Sequence, residues 1–575
     1  MSSYNTLVGR EGSGGGQDGG MGQASGWTPR MENAALSNFL LVICGGLSLL
    51  VIIWRLTTLL VQPSPKFSWL KKNLLYAPLF RKRHNREFQL SSAVNVGTLP
   101  TRFQFFFLLG YFALNVAFCV INIPFFESYG DVARQIRNRS GTLATVNMIP
   151  LFLLAGRNNP LIGLLGISFD TFNLMHRWFG RIVVLESVCH VVAFWCGSAS
   201  KNGWAAAFQS SYTVPFMLAG FISVCAFVAI SFQAASIARH AYYEFFKILH
   251  ILLAAAAFVG LWYHLGMEGL DAIKWLVPVI PIWGGDRFLR LARVVYRNVG
   301  NGGNKTVVEA LPGNSVRVTV TMARPWTFRP GQHAYLYMPT ISFWQSHPFS
   351  VAWSEEAENL GSEKLVMNRQ DVLAMQKTSM SFIIRGRTGM TNTLYQRAAA
   401  SNEGRMTTTC WVEGPYGGEH GMHSYGTVML FAGGVGITHA VPHVRDLVAG
   451  YANGTVASRK VVLVWIIQSP EHLEWIRPWM TEILAMEKRR EVLRIMLFIS
   501  RPRSTKEIHS PSSTVQMFPG RPNIETLLAM ETEQQVGAMG VTVCGPGALS
   551  DEVRQAVRRR QHYQSIDFIE EAFSW

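Results

Sequence analysis

Residues 176–190 read HRWFGRIVVLESVCH, and residues 250–264 read HILLAAAAFVGLWYH. Each stretch lies in a hydrophobic segment, and each begins and ends on histidine, fourteen residues apart. On an α-helix fourteen residues rise about 21 Å and return to within roughly 40° of the starting azimuth. His176 and His190 therefore share one helix face, as do His250 and His264, near opposite edges of a hydrocarbon core about 30 Å thick. Neutral imidazole is a common axial ligand for haem iron. Two parallel helices carrying these pairs side by side are expected to hold two stacked haems, each ligated once from each helix. One intramembrane histidine would read as a buried polar residue with a local partner. Two pairs at one spacing are hard to reach by chance, and they point to electron transfer across a membrane.

At 575 residues the chain is too long for one ordinary domain. It is 49% hydrophobic and only 15% charged, which fits a membrane part joined to a soluble part. The net charge of +16 raises nucleic acid as a partner. Much of the excess, however, flanks hydrophobic segments, as at Lys66, Lys71, Lys72, Arg81, Lys82, Arg83 and Arg86, the habit of cytoplasmic membrane flanks. No nucleic-acid motif accompanies it, so that class is excluded. The seven cysteines are scattered without a CxxC, so neither disulfides nor a zinc site is expected.

Residues 1–35 are Gly- and Ser-rich and read as a disordered tail, with no secretory signal. Apolar runs predict spans near 37–61, 103–126, 139–156, 172–196, 213–233, 243–264 and 272–290, the first an uncleaved anchor. Basic residues crowd 66–86, recur at Arg239 and Lys247, and return at Arg287, Arg290, Arg293 and Arg297. They alternate correctly with seven spans if the N-terminus is outside and the C-terminus cytosolic. The fourth and sixth spans are then parallel. His176 and His250 share the cytosolic-side haem, His190 and His264 the outer one. The sequon Asn138-Arg139-Ser140 falls on the outer side, making Asn138 a glycosylation candidate. Gly180, Ala254–Ala257 and Gly260 either let flat macrocycles approach the backbone or simply pack helices. Arg177 and Arg181 suit either haem propionates or the positive-inside rule. Glu186, an ionisable group within a span, is a functional hint by default, and its partner is not readable from the sequence.

After about residue 300 the pattern changes. Runs such as Ser315–Met322 and Gln332–Met338 alternate as β-strands. From Thr427 onward strands at Val428–Ala432, Val461–Ile467, Leu493–Ser500 and Val541–Cys544 alternate with helices to about Tyr451, near 471–488 and near 549–561. That alternation implies a parallel sheet. Gly433-Gly434-Val435-Gly436-Ile437-Thr438 follows a buried strand and opens a helix, where backbone N–H groups and the dipole suit a pyrophosphate. A second loop, Cys544-Gly545-Pro546-Gly547, follows a later strand of the same sheet. Upstream stand three more candidate turns: Arg329-Pro330-Gly331-Gln332, His347-Pro348-Phe349-Ser350 and Gly386-Arg387-Thr388-Gly389-Met390-Thr391.

In their order and distances these motifs resemble the fungal ferric-chelate reductases, a family that also contains the NADPH oxidases. The resemblance runs from about residue 100 to the C-terminus. It implies a multi-span α-helical membrane domain with a bis-haem four-histidine bundle, then a ferredoxin–NADP reductase-like module. The expected layout is a tail (1–35), a transmembrane haem-binding domain (36–300), an FAD-binding β-barrel (301–422) and an NAD(P)-binding α/β domain (423–575). The implied cofactors are two b-type haems, FAD and NADPH. His347, Pro348, Phe349 and Ser350 match the flavin signature, and Gly389 and Thr391 its pyrophosphate turn. Gly433, Gly434, Val435, Gly436, Ile437, Thr438, Cys544, Gly545 and Pro546 match the nicotinamide-nucleotide loops. Trp575 resembles the terminal aromatic that shields the flavin.

Ser500 and Arg501 end the strand where related reductases bind the 2′-phosphate of NADPH, a geometry that suits Arg. The chain departs from many relatives in having Gln468-Ser469-Pro470 where a basic residue is expected. No protein acid or base is implied, because the cofactors carry the chemistry. The resemblance further implies ferric chelates or siderophores, and copper(II), as substrates, a plasma-membrane location, and coupling to an iron permease or multicopper oxidase. A superoxide-producing NADPH oxidase is the alternative on this scaffold; the extra N-terminal span and the lack of calcium-binding loops favour the reductase.

Overall fold

The computed structural model describes residues 65–80, 83–84, 99–357 and 377–571, leaving out 242, 301–302, 344, 419, 503–509 and 562–565, together with scattered positions between 35 and 53. The expected disordered tail, most of the first apolar run and Trp575 lie outside the described residues.

Helices dominate up to residue 298: α1 (Arg102–Val120), α2 (Tyr129–Ala155), α3 (Phe169–Thr213), α4 (Pro215–Gln233), α5 (Tyr243–Met267) and α6 (Val279–Asn298). A capping box between Thr101 and Gln104 opens α1, and Pro215 stands in the first turn of α4. Among the described residues, α1, α3, α4 and α5 are long and apolar enough to cross a membrane. Phe106, Leu109 and Val116 on α1 and Phe245, Leu252 and Val259 on α5 are exposed, as lipid-facing side chains are.

Three helices differ from their sequence reading. The second, α2, starts ten residues earlier than 139, because Ser128 caps it and Asp131 sits in its first turn. Its neighbour α3 runs on to Thr213, with Gly203 at φ +80° breaking its axis. The run expected to span from 272 begins as a short 3₁₀ turn at Asp271–Trp275. Only at Val279 does α6 start, and the four arginines fall between Arg287 and Arg297 on it.

Two antiparallel sheets follow. One has the order β5-β6-β2-β1-β7 and the other β4-β3-β8. Their strands are β1 (Lys305–Leu311), β2 (Ser315–Thr321), β3 (Gln332–Tyr337), β4 (Ser346–Ser350), β5 (Trp353–Ala357), β6 (Lys377–Arg385), β7 (Arg405–Thr408) and β8 (Trp411–Gly417). Val316, Val318, Leu336, Phe382 and Val412 from both sheets enclose one core, which Leu394 of α7 (Gly389–Ala399) closes.

The last domain is a six-stranded parallel sheet ordered β12-β11-β10-β9-β13-β14. Its strands are β9 (Thr427–Gly433), β10 (Lys460–Ile467), β11 (Leu493–Ile499), β12 (Val515–Pro519), β13 (Met539–Cys544) and β14 (Ile566–Glu571). Helices α8 (Ile437–Asn453), α9 (Arg477–Ala485), α10 (Ile524–Glu533) and α11 (Gly547–Arg560) accompany them. The helix expected near 471–488 is split, a 3₁₀ turn at Pro470–Trp475 preceding α9, since Pro470 and Pro478 each suit only a first turn. Chain order reverses between β9 and β13, the switch point at which such sheets bind ligands. The segment before α1 lies against this domain. Lys71 is 2.5 Å from Asp567, the Tyr76 hydroxyl accepts from the Phe568 N–H at 3.2 Å, and Arg558 donates to the Lys72 carbonyl at 2.9 Å.

Candidate functional site

The four histidines form two pairs. His176 and His250 have ring centres 6.1 Å apart, and so do His190 and His264. Two imidazoles bound trans to one metal, each with a metal–nitrogen bond of about 2.0 Å, have ring centres roughly 6 Å apart. The spacing thus fits a bis-histidine iron in each layer.

The other ring nitrogen of each histidine is held by the protein. Nδ1 of His176 donates to the Leu151 carbonyl at 3.0 Å, that of His190 to Arg137 at 2.8 Å, and that of His264 to Phe216 at 2.8 Å. With Nδ1 carrying the proton, Nε2 keeps its lone pair for a metal. His250 faces the Gln233 amide at 3.0 Å, and the Gln233 Oε1 is buried without a hydrogen-bond partner. With that amide turned over, its Oε1 would accept from an Nδ1–H of His250, the tautomer of the other three.

Glycines make the room. A Cβ on Gly141 would lie 2.5 Å from Nδ1 of His190, and one on Gly220 2.7 Å from Nδ1 of His264. Neither glycine, nor any Nδ1 acceptor, was readable from the sequence, since each comes from a different helix. Gly260, read as macrocycle room or packing, packs: a Cβ there would sit 2.8 Å from the Ala219 carbonyl of α4. Arg181 lies 4.3 Å over the Trp178 ring. Glu186 has its partner in Asn147, which donates to it at 2.9 Å and to Asn115 at 2.8 Å, all three buried. Asn138 is exposed within α2, its carboxamide accepting from Arg137, and Ser140 is buried.

In the antiparallel sheets, His347 to Ser350 form β4 beside β3, with Tyr335 opposite Pro348, Ala334 opposite Phe349 and His333 opposite Ser350. His347 Nε2 stands 3.3 Å from Glu244 at the start of α5. Burial, with the Lys247 cation, pulls its pKa down to about 4, so this imidazole is neutral. Gly389, at φ +56°, opens α7, and the Thr391 hydroxyl accepts from the Arg387 N–H at 3.2 Å. This is a helix N-terminus of the kind that takes phosphate.

The two nucleotide loops meet at the switch point. β9 and β13 are neighbours with Ala432 opposite Cys544. A Cβ on Gly433 would lie 2.6 Å from Pro546 Cδ, one on Gly436 would run into the Cys544 carbonyl, and one on Gly545 would lie 2.9 Å from Gly433 Cα. Gly434 takes φ +56°, Val435 continues the turn, and Ile437 is buried as α8 begins. The Thr438 hydroxyl caps back onto the Val435 carbonyl at 2.9 Å. Ser500 follows β11 directly, its hydroxyl donating to the Ile467 carbonyl at 3.0 Å, and Arg501 beside it is exposed. His439, next to Thr438, escaped the sequence reading; it is buried, with Nε2 3.3 Å from the Thr542 hydroxyl.

Between membrane helices and flavin sheet sits Glu413 of β8, fully buried. Arg157 donates to it at 3.1 Å, Arg290 at 2.9 Å, Tyr337 at 2.5 Å and Tyr416 at 2.7 Å. Burial works to raise its pKa, yet Arg157 first, then Arg290 and Tyr337, hold the carboxyl down at about 2.

Three family models match this chain in register with these sites: the ferric reductase like transmembrane component over residues 140–261, an FAD-binding domain over 301–420, and the ferric reductase NAD binding domain over 425–558. The chain carries the transmembrane, FAD-binding and NAD-binding domains of ferric reductases. The chain is similar to ferric reductase transmembrane component 3 of Saccharomyces cerevisiae, 28% identical, the match covering 83% of this chain and 68% of that protein. A ferric/cupric reductase transmembrane component 2 of the same yeast is 26% identical over 88% and 71%. A probable ferric reductase transmembrane component of Candida albicans is 27% identical over 88% and 76%. The chain is a membrane oxidoreductase with FAD-binding and NAD-binding domains.

Proposed function

We propose that the protein is an NADPH-dependent ferric-chelate reductase of the plasma membrane, with its N-terminus outside and its nucleotide domain in the cytosol. The observation that carries this reading is the pair of histidine pairs, equally spaced, with the Nδ1 of His176, His190 and His264 each donating to a backbone carbonyl. Bound nicotinamide, flavin and haem supply the hydride and single-electron chemistry. The chain's own residues bind, orient and exclude water. Gly433 to Thr438 and Cys544 to Pro546 cradle the pyridine nucleotide, with Arg501 toward its 2′-phosphate. His347 to Ser350, Gly389 and Thr391 hold the FAD. His176 with His250, and His190 with His264, hold two b-type haems in line across the membrane, the second pair toward ferric chelates or siderophores outside. The basic 65–80 segment lies against the nucleotide domain, which supports the orientation. Copper(II) as a second substrate, glycosylation at Asn138, Trp575 as the flavin shield, and coupling to an iron permease or multicopper oxidase complete the proposal.

The test is purified full-length protein loaded with haem and FAD, assayed in parallel for NADPH-driven Fe(III)-chelate reduction and superoxide. Chelate reduction that survives removal of oxygen is the expected result. Superoxide with no anaerobic chelate reduction would identify an NADPH oxidase instead.

A further inference from the structure

Glu413 is a carboxylate in a fully buried position, and its charge is met by arginines from two separate membrane-side elements. Arg157 lies in the turn after α2, six residues beyond Leu151, whose carbonyl holds His176. Arg290 lies on α6. The same turn is tied to α6 again where the Asn158 N–H and carboxamide donate to Asp286, each at 3.0 Å. On the flavin side, Glu413 pairs in register with Tyr335 of β3, and Tyr335 pairs with Pro348 of the flavin signature. The Arg157 guanidinium lies 3.4 Å over the Tyr335 ring. A second contact joins the same sheet to the membrane: His347 meets Glu244, six residues before His250, or about 9 Å of helix rise.

We infer that Glu413 is a positioning residue: it locks the sheet that carries the flavin signature to α6 and to the turn after α2, the helix whose Leu151 carbonyl holds His176, and so sets the gap the electron crosses. This inference rests on the flavin and haem sites proposed above. A core that needed only stability would do as well with apolar side chains, since a buried ion pair is poor at adding net stability. What charges supply is a directional link: two guanidinium groups and two phenols fix one carboxylate in position and rotation. Such fixing matters because the rate of electron transfer between two held cofactors falls as the distance between them grows.

The test compares wild type with Glu413→Gln in the full-length holoprotein. Four quantities are measured: FAD and haem content, NADPH oxidation with ferricyanide drawing electrons from the flavin, anaerobic haem reduction by NADPH, and hydrogen exchange over residues 286–293 and 411–417. FAD, haem and ferricyanide reduction should stay at wild-type levels. Haem reduction should slow well beyond the scatter of the wild type, and exchange in both segments should rise. Unchanged haem reduction, or ferricyanide reduction falling by the same factor, would make Glu413 ordinary fold support and overturn the inference. If Glu413→Gln loses its flavin, Arg157→Gln decides by the same criteria, because Arg157 lies outside the flavin sheets. A wild-type protein whose haem NADPH cannot reduce counts against the proposed function; the exchange measurement still reads the lock.

Discussion

At the scale of single residues, the histidines owe their role to what binds the nitrogen that faces away from the metal. Three use backbone carbonyls, which no side-chain substitution removes, whereas His250 relies on Gln233. Gln233→Leu should weaken binding of the inner haem by about ten- to a hundredfold, the usual effect of losing such a partner, and leave the outer one in place. Haem retention during chelator or apomyoglobin challenge measures this, and equal retention of both haems would contradict it. His190→Ala should halve the b-type haem, and a full complement would refute its ligand role. Arg501 is exposed at the end of β11, free to meet a phosphate. If it binds the 2′-phosphate, Arg501→Ala deletes a charge-assisted bond and should raise KM for NADPH about ten- to a hundredfold. KM for NADH should scarcely move; equal shifts for both nucleotides would show that Arg501 plays no part in the choice.

At the scale of elements, α2 is the common backstop of α3. Leu151 and Arg137 each supply a carbonyl to one of its histidines, and Asn147 between them supplies the partner of Glu186. An uncharged hydrogen-bond chain is what a carboxyl at that depth requires, since an isolated carboxylate is far too costly there. Close approach of α2 and α3 depends on Gly141. Gly141→Ala puts a methyl where the His190 ring lies, so the outer haem should be lost or displaced while the inner spectrum persists. Spectra showing two intact haems would mean that the helices part easily, and that Gly141 is not what seats the ring. Gly260 makes the matching contact between α5 and α4.

At the scale of the whole molecule, the domains meet through charge. The Glu413 carboxyl is held at about 2 in the folded protein, against about 4.3 for an unperturbed Glu. A depressed carboxylate contributes stability that is fully present above its unfolded value and is lost as pH falls toward its folded one. The difference in melting temperature between wild type and Glu413→Gln should therefore be flat from pH 8 to about 5 and shrink from about pH 4 down toward about 2. A difference that instead changed between pH 6 and 8 would point to a histidine, not to Glu413. The 65–80 segment adds a further tie, clasping β14 at Asp567 and Phe568.

Much was legible in the chain alone, wherever one element carries its own periodicity. The fourteen-residue histidine spacing, the buried runs of β9, β10 and β11, and the glycine turn after β9 each declare themselves through hydrophobic period and local backbone need. The strands β12 and β14 and the helix α10 did not, being short and half-exposed with mixed composition. The late start of α6 was hidden too, because an apolar run shows how greasy a segment is and not where its prolines let a helix begin. What only the tertiary structure decided is which groups meet across long separations. Gln233 with His250, Gly141 with His190, Asn147 with Glu186, and Arg157 with Glu413 are all contacts between elements. A sequence records the periodicity of one helix or strand; the partner of a buried polar group is set by which element packs beside it, and that is a property of the folded whole.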